Sequence, residues 1–319
     1  MLSLPDFKEK KIIMLGSYGG EANELKFRNS NICLYKNGEF VNQISCHIVF
    51  CVFIIGECTL TSVLIKQLKQ HGISIFLLNS SLQAYAEVVS LAEGNYVLRD
   101  RQYKLKSAET LDLSKMLMRN KIKNQYRMLK IAGKSPDKKQ LKLTLETIDA
   151  VDNQSSLLGI EGNYSKYYFE KAFSDYKWYR RAPRTKEDIN NLLLDMGYTF
   201  LFNYIDSLLR LFGFDTYKGF YHQLFFQRKS LSCDIEEPFR PLIDHQLIKS
   251  HNLGQIDEKD FKFVKGAYKI KDYKLQKKYT YIWFNLIMQH REEIYNYVLE
   301  FYRYFLNSSK YKQPEFKLC

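Results

Sequence analysis

The residues best suited to chemistry are ionisable side chains set among apolar or glycine neighbours, and three such places occur. Glu161 lies in the run Leu157-Leu158-Gly159-Ile160-Glu161-Gly162. Its flanking glycines, near a predicted helix start, permit close approach of backbone or ligand. His222 sits in Gly219-Phe220-Tyr221-His222-Gln223-Leu224-Phe225-Phe226. The third place is Asp234-Ile235-Glu236-Glu237-Pro238-Phe239-Arg240-Pro241. On a helix Asp234 and Glu237 share a face while Glu236 points elsewhere, so Glu236 is left out of the candidate site. Carboxylates this close repel by roughly 4 kcal/mol at about 4 Å in a protein-like dielectric, and a cation must offset that.

Each place also has an ordinary reading. Glu161 alone fits a solvated carboxylate favoured by the helix dipole. A lone histidine among aromatics fits a hydrogen-bonded core residue, and Arg240 can neutralise the acidic run. Together, one imidazole and two or three carboxylates form a donor set of hard oxygens with one nitrogen, which suits Mg2+ or Mn2+ better than structural zinc. Such an ion binds a phosphoryl oxygen, lowers the pKa of a bound hydroxyl and stabilises charge on an attacked phosphate.

The elements that must position these groups change character along the chain. The first hundred residues read as strands: 12–18, 32–35, 40–45, 48–55, 73–78 and 84–91, with one helix over 59–71 ended by Gly72. Asn37-Gly38 marks a tight hairpin between two of them. Beyond residue 97 the apolar period becomes helical. Helices are expected over 101–131, 139–151, 156–173, 185–212, 219–227, 231–250 and 278–305, with Thr185 and Asp188 resembling a capping box. The expected class is α+β, an N-terminal β-strand domain over 1–97 and a larger, mostly helical domain over 98–319.

Charge divides at the same point. Residues 1–98 carry as many Lys and Arg as Asp and Glu, so the whole net charge of +13 belongs to residues 99–319. That asymmetry points to a polyanionic partner for the helical part. The six cysteines form no CxxC pair, which indicates neither a zinc site nor a disulfide framework. The charged start, broken by Pro5, is unlike a signal peptide, and the longest apolar run, 48–55, is too short to span a bilayer. These features give the expectation of a soluble, cytoplasmic protein with no membrane partner.

The ordered series Glu161-Gly162…Tyr168-Phe169, Asn190-Asn191-Leu192-Leu193…Gly197-Tyr198, Gly213-Phe214-Asp215…Gly219-Phe220…His222 and Ser230-Leu231…Asp234-Ile235…Glu237-Pro238-Phe239-Arg240-Pro241…Asp244 closely resembles the Cas-one integrase family of CRISPR adaptation. Weaker resemblance continues upstream through Arg101-Gln102-Tyr103 and Lys121-Ile122-Lys123-Asn124-Gln125 and into the strands. It looks most like the branch found with compact single-effector systems. The resemblance implies a dimerising N-terminal β domain and a helical domain with one metal site held by Glu161, His222 and Glu237. Asp234 stands beside them as ligand or as partner of a ligand. The last family position is often Asp where this chain has Glu237.

The implied reaction is a transesterification in which the 3′-hydroxyl of captured double-stranded DNA attacks a phosphodiester at the end of a CRISPR repeat. The implied assembly is a heterohexamer, two homodimers bridged by a dimer of the small Cas-two protein. Segments 119–130, 180–186 and 262–278 are the expected DNA-backbone contacts. Tyr164, Tyr167, Tyr168 and Tyr217 are expected chiefly in core packing. Two other readings remain open on sequence: a structure-selective nuclease or mobile-element integrase of the same fold, and a non-catalytic nucleic-acid scaffold.

Overall fold

The computed structural model describes residues 10–17, 22–79, 84–88, 90, 95–222 and 226–319. Its first part is two four-stranded sheets. One has the order β1-β5-β7-β8, built from Lys11–Ser17 (β1), Val49–Gly56 (β5), Ser74–Leu78 (β7) and Ala84–Val88 (β8). Its first three strands run parallel and β8 antiparallel. The other has the order β4-β3-β2-β6, from Asn23–Arg28 (β2), Asn31–Lys36 (β3), Glu39–Ser45 (β4) and Thr59–Leu60 (β6). Asn37 and Gly38 both take positive φ between β3 and β4, as the hairpin dipeptide requires. Strand β2 escaped the sequence reading because its NELKFR run shows little continuous apolar character. Residues 18, 89 and 91 of the expected strands, and the first nine residues, lie outside the described residues.

Strand β5, VFCVFIIG, is buried along its length except at Gly56, because both its faces are covered. Val52 and Ile54 join Ile75, Leu25 and Ile32 in one apolar cluster, with Leu64 and Leu68 of helix α1 (Ser62–Gln70). Phe53, Ile55 and Phe76 face the other way and belong to the helical core. The Phe53 ring lies 5.2 Å from that of Phe200.

The helical part comprises α2 (Tyr96–Tyr103), α3 (Ser107–Ile131), α4 (Lys138–Ala150), α5 (Gln154–Ala172), α6 (Ile189–Phe212), α7 (Ser230–Glu236), α8 (Arg240–Asn252) and α9 (Tyr273–Leu306). A two-stranded ribbon, β9 (Phe261–Val264) with β10 (Ala267–Ile270), precedes α9. No helix among the described residues is long and apolar enough to cross a membrane. Helix α6 ends at Gly213, whose φ of +92° suits glycine.

Several expectations are corrected. The helix expected over 101–131 is two helices, broken at 104–106. Thr185 caps nothing at the start of α6; Asp188 does so alone, accepting from Asn191 N at 2.7 Å. The helix expected over 231–250 is interrupted by a 3-10 turn, Glu237–Phe239, where Pro238 lacks an N–H to continue the ladder. No helix forms over 219–222, and residues 223–225 lie outside the described residues. The backbone amides of 220–222 are committed to the Asp234 carboxylate instead.

Candidate active site

Five segments meet at one place. Helix α3 supplies Lys121, α5 supplies Glu161, the loop after Gly213 supplies His222, α7 supplies Asp234, and the 3-10 turn supplies Glu237. The loop is held from behind by Gln102 of α2, whose Nε2 donates to the carbonyls of Asp215 at 2.7 Å and Lys218 at 2.6 Å. Its inner side wraps Asp234: Oδ2 accepts from Phe220 N at 2.7 Å and Tyr221 N at 3.0 Å, and Oδ1 from His222 N at 2.9 Å. Gly219 makes this wrapping possible, since a Cβ there would stand 2.7 Å from Asp234 Oδ2 and from Ser230.

Asp234 also fixes the imidazole. His222 Nδ1 lies 2.7 Å from Asp234 Oδ1, so the carboxylate favours the tautomer with its proton on Nδ1. Nε2 then points toward Glu237 Oε1, 3.8 Å away. Asp234 is fully buried and its two oxygens are engaged by four N–H groups, which places it behind His222 rather than in the open site.

Glu161 and Glu237 come together across a lysine. Lys121 Nζ stands 2.5 Å from Glu161 Oε1 and 2.6 Å from Glu237 Oε2. Ser165 Oγ donates to Glu161 Oε1 at 2.6 Å, and Gln125 Nε2 donates to Ser165 Oγ at 3.2 Å. Glu237 Oε1 faces Arg240 at 3.4 Å. Burial pushes the Glu237 carboxyl up, but Arg240 and Lys121 outweigh it and hold it at about 2. Glu236 pairs with Arg240 at 3.4 Å, and burial raises it to about 7 despite that guanidinium. Burial likewise pushes the Tyr221 hydroxyl well up, with Glu161 and Glu237 adding to it.

Thus Glu161 and Glu237 meet at Lys121, His222 faces Glu237, Asp234 holds His222 from behind, and Glu236 turns to Arg240. Glu161 sits two turns inside α5, not near its start, and nothing lies within 4 Å of where a Cβ at Gly159 or Gly162 would be, so that flank of the helix is open. Sequence reasoning missed Lys121, having counted it within the basic segment 119–130. The signal was present: Leu113, Leu117, Lys121, Asn124 and Met128 recur at helical spacing, and all are buried. In the same segment Arg119 pairs with Asp149, and Lys123 and Arg127 with Glu315. In segment 180–186, Arg180 pairs with Glu187 and Arg181 with Asp195. Segment 262–278 presents Lys262, Lys265, Lys269, Lys271, Lys274 and Lys277 as exposed side chains. Tyr164 and Tyr168 are buried, Tyr167 accepts from Asp137 N at 2.9 Å, and Tyr217 is exposed.

The donor set suits a hard divalent ion in kind: two carboxylate oxygens aim at one ammonium, and the imidazole Nε2 faces the other oxygen of Glu237. Among the described residues, however, no three His, Cys, Asp or Glu side chains stand close enough to form an ion cage, and an ammonium fills the space between the carboxylates.

Fold and site together define a protein with a β-sheet first part and a helical part holding an acidic, histidine-bearing centre. The model of the family described as CRISPR associated protein Cas1 matches residues 19–283, and the chain belongs to that family. It is 29% identical over 252 residues to a CRISPR-associated endonuclease Cas1 of Thermodesulfovibrio yellowstonii, covering 73% of this chain and 79% of that one. Among solved structures, a casposase bound to integration product superposes with a TM-score of 0.79 at 19% identity, over 96% of this chain and 94% of that chain. A Cas6-RT-Cas1–Cas2 complex matches with a TM-score of 0.75 at 24% identity, over 98% of this chain and 36% of the other. At these identities the structural likenesses show the fold.

Proposed function

We propose that this chain is a DNA integrase and endonuclease of CRISPR adaptation, dependent on Mg2+ or Mn2+, that joins the 3′-hydroxyl of captured double-stranded DNA to a CRISPR repeat. The observation that carries the reading is the chain of contacts from Glu161 through Lys121 to Glu237 and on to His222, drawn from separate segments of a chain of the Cas1 family. Glu161, Glu237 and His222 Nε2 would hold the ion, and Asp234 keeps the imidazole in the tautomer that offers Nε2. When bound, the ion supplies positive charge that binds a phosphoryl oxygen and lowers the pKa of the attacking hydroxyl. The attack forms one P–O bond and breaks another, releasing a new 3′-hydroxyl with no covalent protein intermediate.

The net +13 of residues 99–319 supports a DNA partner, and the exposed lysines of 262–278 are the best-placed phosphate contacts. With roughly 6–10 phosphates contacted, affinity should fall about 10³–10⁵-fold between about 50 and 200 mM salt. The likeness to a Cas1 chain in complex with Cas2 supports the same partnership here, with residues 1–97 forming the homodimer contact and residues 98–319 the catalytic domain. Two such dimers on a Cas2 dimer make the proposed heterohexamer.

The test is strand transfer into branched, half-integrated repeat DNA, with Mn2+ and with chelator. Wild-type protein with its Cas2 partner should yield a joined strand only with the metal. Glu161→Ala and His222→Ala should reduce joining to background while DNA binding persists. Full joining by either variant removes the proposed site, and products shortened by water attack instead of joined identify a nuclease.

A further inference from the structure

Lys121 is a lysine with almost no surface in water, on the apolar stripe of α3, where an ammonium loses its hydration unless partners replace it. Two do. Glu161 Oε1 and Glu237 Oε2 approach Nζ at 2.5 and 2.6 Å from different segments of the chain. Ionised carboxylates are acceptors only and cannot bond to one another, so without a cation between them they would repel. The lysine closes that gap. Divalent Mg2+ binds oxygens at about 2.0–2.1 Å, so these oxygens need move only a few tenths of an ångström inward to close on such an ion. The ammonium and the ion would then occupy the same position.

We propose that Lys121 is an internal competitor for the divalent ion: its ammonium holds Glu161 and Glu237 together in the metal-free protein and must withdraw for the site to load. The inference rests on the metal-dependent reading above and adds a positioning residue to it. A lysine here serves two ends. It keeps the two carboxylates close while no metal is bound, and it weakens the site for any cation that brings no more than one positive charge. A divalent ion brings two charges to the same oxygens, which is what lets it displace the lysine.

The experiment measures Mn2+ binding to the full chain without DNA, by the EPR signal of free Mn2+, alongside thermal unfolding with and without Mn2+. Lys121→Met should bind Mn2+ about tenfold or more tightly than wild type, on the scale by which a neighbouring charge shifts a carboxylate equilibrium. Its metal-free form should melt lower than wild type, and Mn2+ should raise its melting temperature by a larger step. If Lys121→Met does not fold, Lys121→Gln, which keeps hydrogen-bond donors without the charge, is read the same way. Affinity equal to or weaker than wild type overturns the proposal. Glu161→Gln separates the two levels. If that variant loses Mn2+ binding while Lys121→Met matches wild type, only the lysine proposal fails. If Glu161→Gln binds like wild type, the metal reading itself fails.

Discussion

The two parts of the molecule bury different things. Among the described residues of the strand part, the buried polar side chains are Asn23, Ser74 and Ser90, none of them charged. The helical part buries Lys121, Asp206, Asp234, Glu236, Glu237 and Asp244. Apart from Asp206, which pairs with Arg210 and Lys229, these are linked rather than scattered. Glu161 leads to Lys121, Lys121 to Glu237, and Glu237 to Arg240. The Arg240 guanidinium lies over the Tyr198 ring at 5.0 Å, and the Tyr198 hydroxyl donates to Asp244. Burying a charge costs several kcal/mol unless it is paired and hydrogen-bonded. The strand part therefore rests on ladders and apolar contact, and the helical part carries a charged spine from the site into the core. Substitutions should act locally in the first and travel in the second.

The largest break in the spine is Arg240→Ala, which strips a guanidinium from Glu236 and Glu237, both 3% exposed at the side chain. About 3 kcal/mol of stability should be lost, the low end for breaking a buried pair, because Arg240 itself is 31% exposed. Strand transfer should fall with it, since Glu237 loses one of its two cations. The matching change in the strand part, Lys26→Ala, removes the half-exposed pair with Glu24 and should move the urea midpoint little. Equal losses in the two variants would erase the distinction.

The C-terminal tail sharpens the contrast next. Asn120 and Asn124 of α3 both donate to the Phe316 carbonyl, at 2.7 and 3.0 Å, and Asn124 also donates to the Pro238 carbonyl at 2.9 Å. The Phe316 ring lies 4.4 Å from that of Phe239. The tail thus clamps the turn bearing Glu237 onto the helix bearing Lys121. Phe316→Ala should cost about 2–3 kcal/mol, less than a central phenylalanine because a strap outside any helix or strand can re-seat, and should reduce strand transfer beyond the loss of folded protein. An unchanged urea midpoint would show that the strap supports nothing.

What was legible in the sequence follows the same division. The change from strands to helices, the Asn37-Gly38 hairpin and the Gly213 stop are local signals, and the succession of helices after the sheets begins at Tyr96, close to where the period shifts. Strand β2 and the β9–β10 ribbon were not legible, because short polar strands are set by pairing partners rather than by their own pattern. The expected helix over 219–227 failed at 219–222 for a reason beyond any window of sequence: Asp234, a dozen residues on, takes the backbone donors that a helix start would leave open. At the site, residue types and family resemblance pointed to Glu161, His222, Asp234 and Glu237. They could not say that Asp234 stands behind the histidine, or that a lysine from α3 lies between the glutamates, since both depend on how distant helices pack.

The smallest effect is a slope, at the far end of the spine. Asp244 is buried and accepts from Tyr168 at 2.7 Å and from Tyr198, with Arg181 and Arg240 as the nearby charges. Burial raises its carboxyl to about 6; the two tyrosine bonds and the two arginines pull it only part of the way back. In the unfolded chain the same group titrates near 3.8. Between those values the folded protein holds a proton that the unfolded chain has released, so this group's contribution to stability is full below 3.8 and is lost as pH rises through 6. Glu236, raised to about 7, continues the slope upward, whereas Glu237, held at about 2, acts with opposite sign and mainly below 4.5. Urea unfolding of wild type from pH 4.5 to 7.5 should therefore show stability falling with pH on account of these groups. Asp244→Asn, neutral throughout, should flatten the lower half of that window and leave the upper half to Glu236. A lower half as steep in Asp244→Asn as in wild type would mean that the spine's charge cost stops at Arg240 and does not reach the core.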